Sequence, residues 1–346
     1  MSPATCFTDP AAVEAWDRWF RWRDDGGLRD LTVDATWRRV ADAIAGAEGA
    51  AAPSWSRRFI EAFSRWQLLP DARLLHLAGT GGKVDDLGDP AAVLNAAAFV
   101  RWPDTPRATF DRENFVATAA LAVRLLDDVL LSCSVVSAGT QPRLGLIGVA
   151  DALQMLGLPY DSAGARQCAT GMASALAEGA LLGATDLARE RGSADCDRQK
   201  LAQRWRDVGA PRALIEAVLR WGMRYSGLTR IEPQPQLALL ANDTSDALDP
   251  RLADTGLPTR RPACEEDDAA RNATAETLIR AQIELRAEMQ PWIDTPIDYP
   301  LAFSIAPDPA VLELSGRLAS QHGLQPLTLR RARALQLINN EVDGKA

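Results

Sequence analysis

Side chains able to carry chemistry are sparse in this sequence. Five cysteines (Cys6, Cys133, Cys168, Cys196 and Cys264) are odd in number and far apart, with no C-x-x-C pair. Structural zinc and a disulfide framework are therefore not expected. The two histidines, His76 and His322, have no metal-ligand companion at helical spacing. A Cys–His nucleophile pair could form only through tertiary contact. Cys264 precedes Glu265-Glu266-Asp267-Asp268, whose charge would raise a thiol pKa rather than activate it. Asp127 and Asp128 could serve as general acid and base, but a helix edge facing solvent is the simpler expectation. Gly145-Leu146-Ile147-Gly148 lacks the G-x-G-x-x-G spacing and a preceding strand, and neither a phosphate-loop lysine nor an H-E-x-x-H helix is present.

Composition narrows the classes further. The chain has 346 residues, 47% apolar and 24% charged, which reads as a soluble globular protein with one large core or two ordinary ones. The balance of 46 acidic against 38 basic residues gives a net charge of −8, so neither a nucleic-acid polymer nor an anionic membrane surface is the expected partner. No apolar run reaches the roughly 20 residues needed to span a bilayer. The opening MSPATCFTDP lacks the basic and apolar regions of a secretory signal, and a cytoplasmic location is expected.

The elements that must position any site read as mostly helical. Trp16 and Phe20, then Val40 and Ile44, fall on helical periods, with a turn at Asp24-Asp25-Gly26-Gly27. A helix is expected over about 35–48 with Asp34 as its cap, and another from Trp55 to Trp66. Trp16, Trp19, Trp55 and Trp66 sit beside arginines, and gluing helices together is their expected role rather than base stacking. Leu69 to Gly82 is an apolar run bounded by proline and glycine, more strand-like than helical. Asp111 should cap a helix in which Phe115, Ala119, Ala122, Leu126 and Val129 recur at the 3.6 period, with Arg124, Asp127 and Asp128 as its polar edge. A second helix is expected from Leu144 to Leu156, with Gly145, Gly148 and Ala152 allowing close helix–helix approach, and a third, capped at Tyr160-Asp161-Ser162, running to Arg191. Farther on, Leu201–Val208, Ala213–Tyr225, Ala269–Met289 and Pro309–His322 read as helices. Leu237–Ala241 and Leu327–Leu329 read as strands, and 248–268 as an irregular connection.

The order of these segments resembles the large chain of ribonucleotide reductases, most closely the adenosylcobalamin-dependent (class II) type. Arg124-Leu125-Leu126-Asp127-Asp128-Val129, after Phe110-Asp111, is similar to the family's F-D…A-V-R-F-L-D-[ND]-V helix. Leu144 to Leu153, then Leu156-Gly157-Leu158-Pro159-Tyr160-Asp161-Ser162, is similar to its L-G-x-M-G-x-A-D-x-L…L-G-x-P-Y-D-S run. Leu228-Thr229-Arg230-Ile231-Glu232-Pro233, followed by Ala247-Leu248-Asp249-Pro250, sits where the family has L-T-x-I-A-P-T-G-T-I-S…G-I-E-P. Trp19–Glu48, Leu69–Thr80 and Gly323–Arg330 resemble its N-terminal helices, its P-N-S-P-T-L-x-N-A-G-T strand and its G-L-K-G-L-T-x-Y-R end.

The resemblance implies a mainly α fold with a few short strands, a remnant of the family's ten-stranded α/β barrel whose first half and finger loop are deleted. It divides the chain into a helical region at 1–68 and a truncated barrel-like domain at 69–346. The family's interval between the N-A-G-T strand and the next segment carries the effector site, the cobalamin contacts and the N-x-C-x-E loop with the thiyl-radical cysteine. Here Gly81 to Ala98 fills it without a cysteine, and no cysteine matches the shuttle thiols at the end of the chain. The phosphate cradle is altered too: Asp71 brings negative charge and Pro235 removes an amide donor.

The expectation is therefore a reductase-like protein that has lost catalysis and keeps a binding, assembly or regulatory role, with whether it is an enzyme at all left open. One alternative is an enzyme of a different reaction using the remnant nucleotide or small-molecule cleft. The other is an accessory subunit of a full-length ribonucleotide reductase. The residues that would line a remnant ligand site are Asp71, Arg73, His76, Gly79, Thr80, Gln234 and Gln236. No catalytic residue, no metal and no cofactor is assigned, adenosylcobalamin included, since its contact region is missing. Losing half a barrel would leave open strand edges, so either helical repacking or a homodimer should cover them.

Overall fold

The computed structural model describes residues 4–81, 89–132, 140–251, 268–303, 309–325, 327 and 329–331. Helix α1 (Pro10–Ala15) starts at Asp9, whose side chain accepts the Ala11 N–H, and runs into a π-type turn at Trp16–Phe20. A two-residue hairpin, β1 (Arg23–Asp24) with β2 (Gly27–Leu28), leads to α2 (Val33–Ala45). The cap of α2 is Thr32 rather than Asp34: Thr32 accepts the Ala35 N–H, while Asp34 accepts from the backbone and hydroxyl of Thr5. Helix α3 (Ala52–Ser64) carries Pro53 in its first turn, where a missing N–H costs no bond. Trp16, Trp37 and Trp66 are buried between these helices, Trp37 meeting Trp66 edge-on at 5.6 Å, so the helix-gluing role holds for them.

Strand β3 covers only Leu68–Pro70. The strand-like expectation for 69–82 stops there, because Asp71 caps and starts helix α4 (Ala72–Leu77). Next come β4 (Ala91–Asn95), the hairpin β5 (Val100–Arg101) with β6 (Thr109–Phe110), and α5 (Arg112–Ser132). The run expected as one helix over 144–156 is instead strand β7 (Arg143–Ile147), a turn at Gly148, and helix α6 (Val149–Met155). Leu144 to Ile147 is buried throughout, so no alternation marks it as a strand. Gly148 adopts φ 72°, and an added Cβ would come 2.3 Å from Asn95 Oδ1, so this glycine makes a tight strand-to-helix turn rather than a helix–helix contact. Gly145 likewise lies against the Arg230 carbonyl of the neighbouring segment.

Strand β4 is central, antiparallel to β3 and parallel to β7, and Leu144 makes a further parallel bridge with Thr229. Among the described residues the strands close no barrel. Both edges are covered from within the chain. The three residues of β3 are buried against α3. At the far edge the Asp294 carboxylate accepts the N–H groups of Leu228 (2.7 Å) and Thr229 (2.8 Å) and the Thr229 hydroxyl (3.0 Å), taking the place of a further strand. The expected need for a cover is thus met by the chain's own helices and side chains.

Helix α7 (Ala163–Arg191), capped by Ser162, packs along α5 so closely that a Cβ on Gly179 would sit 2.4 Å from Ala119 Cβ. The remaining elements are α8 (Arg198–Asp207), α9 (Arg212–Trp221), α10 (Pro235–Leu240), α11 (Asp268–Met289), β8 (Leu301–Phe303), α12 (Pro309–Gln321) and β9 (Leu329–Arg331), with β8 and β9 parallel. The strand expected at 237–241 is helix α10, with Pro235 in its first turn. One apolar core runs from Trp16 to Tyr299, and a smaller one joins Ile279 and Ile283 to Leu301, Val311 and Leu318. Among the described residues no helix is long and apolar enough to cross a membrane.

Candidate functional site

The residues singled out for a remnant ligand site separate into two places. Asp71 is buried; its Oδ1 accepts the Leu74 N–H (2.9 Å) and its Oδ2 the Ala91 N–H (3.1 Å), so it caps α4 and joins α4 to β4. Arg73 Nη2 lies 3.6 Å from Asp71 Oδ2 and 3.4 Å from the Asp89 carbonyl. Arg143, at the start of β7, donates to the same carbonyl (3.2 Å) and to Glu232 Oε1 (2.8 Å). Gln234 reaches that Glu232 oxygen at 3.4 Å, and Arg230 pairs with Glu232 Oε2 at 3.0 Å. Asp71, Arg73 and Gln234 are thereby strung together through Asp89, Arg143 and Glu232, none of which the sequence reading offers as a site residue.

His76, Gly79 and Thr80 turn toward the N-terminal helices instead. His76 Nδ1 is 3.2 Å from the Trp19 carbonyl, Gly79 (φ 75°) lies against Arg39, and the Thr80 hydroxyl donates to Leu77 (2.8 Å). Arg39 is buried with Asp30 at 2.9 Å and donates to the Leu75 and Ala78 carbonyls that end α4. Gln236 is exposed on α10.

In open α/β sheets ligands collect beyond the carboxyl ends of parallel strands. Here that end is occupied by internal carboxylates. Asp246 Oδ1 accepts the Gln234 N–H (2.6 Å), and Pro235 has no N–H to offer. Asp151 Oδ2 accepts the Thr244 hydroxyl (2.8 Å) and the Ser245 N–H (2.7 Å). The Gly148 N–H donates to the Ser245 carbonyl at 2.7 Å.

The strongest electrostatic feature lies elsewhere and corrects the expectation of a solvent-facing edge. Asp127 and Asp128 on α5 are both 0% exposed. Arg191, near the end of α7, donates to both carboxylates and to Glu48 Oε1 (2.6 Å). Arg124 donates to Glu48 Oε1 (2.8 Å) and to Glu190. Arg224 Nε (2.9 Å) and the Tyr225 hydroxyl donate to Asp127 Oδ1. Burial pushes Asp127 up, but Tyr225, Arg224 and Arg191 outweigh it and hold this carboxyl below its usual range. For Asp128, burial prevails over Arg191, and with Glu48 adding repulsion the carboxyl is pushed up to about 7. Asp128 Oδ2 is buried without a hydrogen-bond partner.

A second buried cation, Arg286 on α11, donates to Asp249 Oδ2 (2.9 Å) and to the Gln282 carbonyl (3.1 Å) and lies 4.3 Å over the Tyr299 ring. It fastens α11 to the segment that follows α10. Among the described residues no cluster of three or more His, Cys, Asp or Glu is arranged to hold a metal. Cys6, Cys168 and Cys196 are free and scattered, burial raising the Cys168 thiol, while Cys133 and Cys264 lie outside the described residues.

Residues 91–256 match the family model of the ribonucleotide reductase barrel domain, just under half of the chain. Over that span the chain is similar to the large chain of ribonucleotide reductases. A comparison with the curated proteins finds no match. The matched span begins at β4 and takes in the β4–β7 pair, α5, α7 and the segment through α10; it holds Arg143 and Glu232 of one polar assembly and Asp127, Asp128, Arg191 and Arg224 of the other, while Asp71, Arg73 and Glu48 precede it.

Proposed function

We propose that this is a ribonucleotide-reductase-like protein, nearest the adenosylcobalamin-dependent type, that does not reduce nucleotides and acts by binding. One observation carries the reading. Of the two stretches where the resemblance would put a substrate diphosphate, one has its Gln234 N–H bound by Asp246 of the same chain, and the other places the Asp71 carboxylate on the Leu74 and Ala91 N–H groups. A carboxylate so placed satisfies the donors and repels a phosphate. Because the chain covers its own sheet edges, a second copy or a full-length ribonucleotide reductase would dock through helices rather than by adding strands. No adenosylcobalamin is part of this reading, since the interval that the resemblance gives to its contacts is missing; a cytoplasmic setting fits the composition.

Incubation of the full chain with ribonucleoside di- and triphosphates, a dithiol reductant and adenosylcobalamin should yield no deoxynucleotide. Product formation would overturn the reading. A second reading, a small anionic ligand held by Arg73, Arg143 and Arg230, draws on the partial exposure of these guanidiniums (49%, 25% and 45%). It requires a nucleotide-induced thermal shift that Arg73→Ala and Arg143→Ala abolish.

A further inference from the structure

The turn between α2 and α3, residues 46–51, has no buried residue and passes through Gly49 at φ 56°. Its one inward group is Glu48, whose Oε1 accepts from both Arg124 (2.8 Å) and Arg191 (2.6 Å). Among the described residues, the charged groups around Asp128 come from four elements. Asp127 and Arg124 share its own helix, Arg191 and Glu190 come from α7, Arg224 and Tyr225 from the segment after α9, and Glu48 from the turn. Arg58 of α3 approaches only across the Trp55 ring, lying 4.3 Å from it on one side while Arg124 lies at 4.2 Å. Four carboxyls (Glu48, Asp127, Asp128, Glu190) thus face three guanidiniums (Arg124, Arg191, Arg224). The set is neutral only when one carboxyl keeps its proton, and Asp128 Oδ2, buried and unpartnered, is the atom placed to keep it, with Glu48 sharing the Arg191 cation.

We propose that a proton held on Asp128, which shares the Arg191 cation with Glu48, fastens residues 46–51 to α5 and α7, and that the fastening weakens as rising pH removes it. The step is a simple acid dissociation: the Asp128 O–H bond breaks, the proton goes to water, and a second carboxylate is left facing Glu48. The docked carboxyl titrates at about 7, against about 3.9 once exposed. Linkage then has a definite sign. Docking is strongest below the exposed value, weakens by up to about tenfold per pH unit between the two values, and changes no further above the docked one.

Hydrogen–deuterium exchange on the full chain, corrected for intrinsic rates, tests this at the amides of 46–51. Their protection should fall with pH up to about 7 and then level off, while the middle of α7 stays unchanged. Asp128→Asn, neutral at every pH and still an acceptor for Arg191, should hold protection high and flat. The protonated-carboxyl band in infrared difference spectra of the unaltered protein should persist to pH 6 and disappear as pH rises through about 7, a readout that does not depend on the variant folding. Flat protection in the unaltered protein, or a carboxyl band absent at pH 6, would overturn the proposal.

Discussion

Two assemblies of arginines and carboxylates cross this molecule, and they differ in one respect that decides their energetics. The string from Arg73 through Arg143 to Glu232 and Gln234 lies at the surface, its guanidiniums and carboxylates partly in water. The cluster around Asp127 and Asp128 joins residues as distant in sequence as Glu48 and Arg224, but its centre is wholly out of solvent. Partners of the same chemistry are nearly neutral to stability in the first setting and mandatory in the second. A charge in water can do without its partner, whereas a buried one cannot.

That contrast can be tested by removing one partner from each. Arg191→Met leaves Asp127, Asp128 and Glu48 without their shared cation and should cost about 3–5 kcal/mol, read from the urea midpoint. A loss below about 1 kcal/mol would place the cluster with the surface string. Asp294→Ala probes an intermediate case, since Asp294 is largely buried while its partner Arg204 is a third exposed. It deprives two backbone N–H groups of their acceptor and should cost about 2–3 kcal/mol. Asp294→Asn, which keeps an acceptor oxygen, should recover part of that. Glu232→Gln at the surface should change stability by less than about 1 kcal/mol and show little salt dependence. A larger effect would mean that the string is a built site and would favour the anionic-ligand reading.

Legibility in the sequence followed the same division between local and distant information. Helices α5 and α7 could be read directly because their caps, Asp111 and Ser162, sit beside the apolar periods they begin. The β7–α6 unit could not, since a strand buried on both faces lacks alternation and continues without a polar break into a helix. Gly148 was the only mark of the boundary. The short apolar run at 237–241 reads as a strand by its length, yet proline is at home in a first helical turn, where the structure has Pro235. Asp127 and Asp128 were assigned to solvent because charged residues rarely go inside unpaired. Their partners Arg191, Arg224 and Glu48 come from α7, the segment after α9 and the turn between α2 and α3, and only tertiary packing brings them together, which no local pattern announces. Of the candidate ligand residues, Asp71, Arg73 and Gln234 fall in a polar assembly; of the members that complete it, Asp89 and Arg143 carry no motif, and Glu232 stands in its motif without being marked as polar machinery.

The Asp294 carboxylate has a consequence beyond holding Leu228 and Thr229 in place. A sheet whose last row of amides is already bonded to a side chain offers no template on which a foreign strand could grow. A barrel remnant would otherwise be a natural seed for runaway self-association. One acidic residue from a loop closes that edge of the sheet to strand addition.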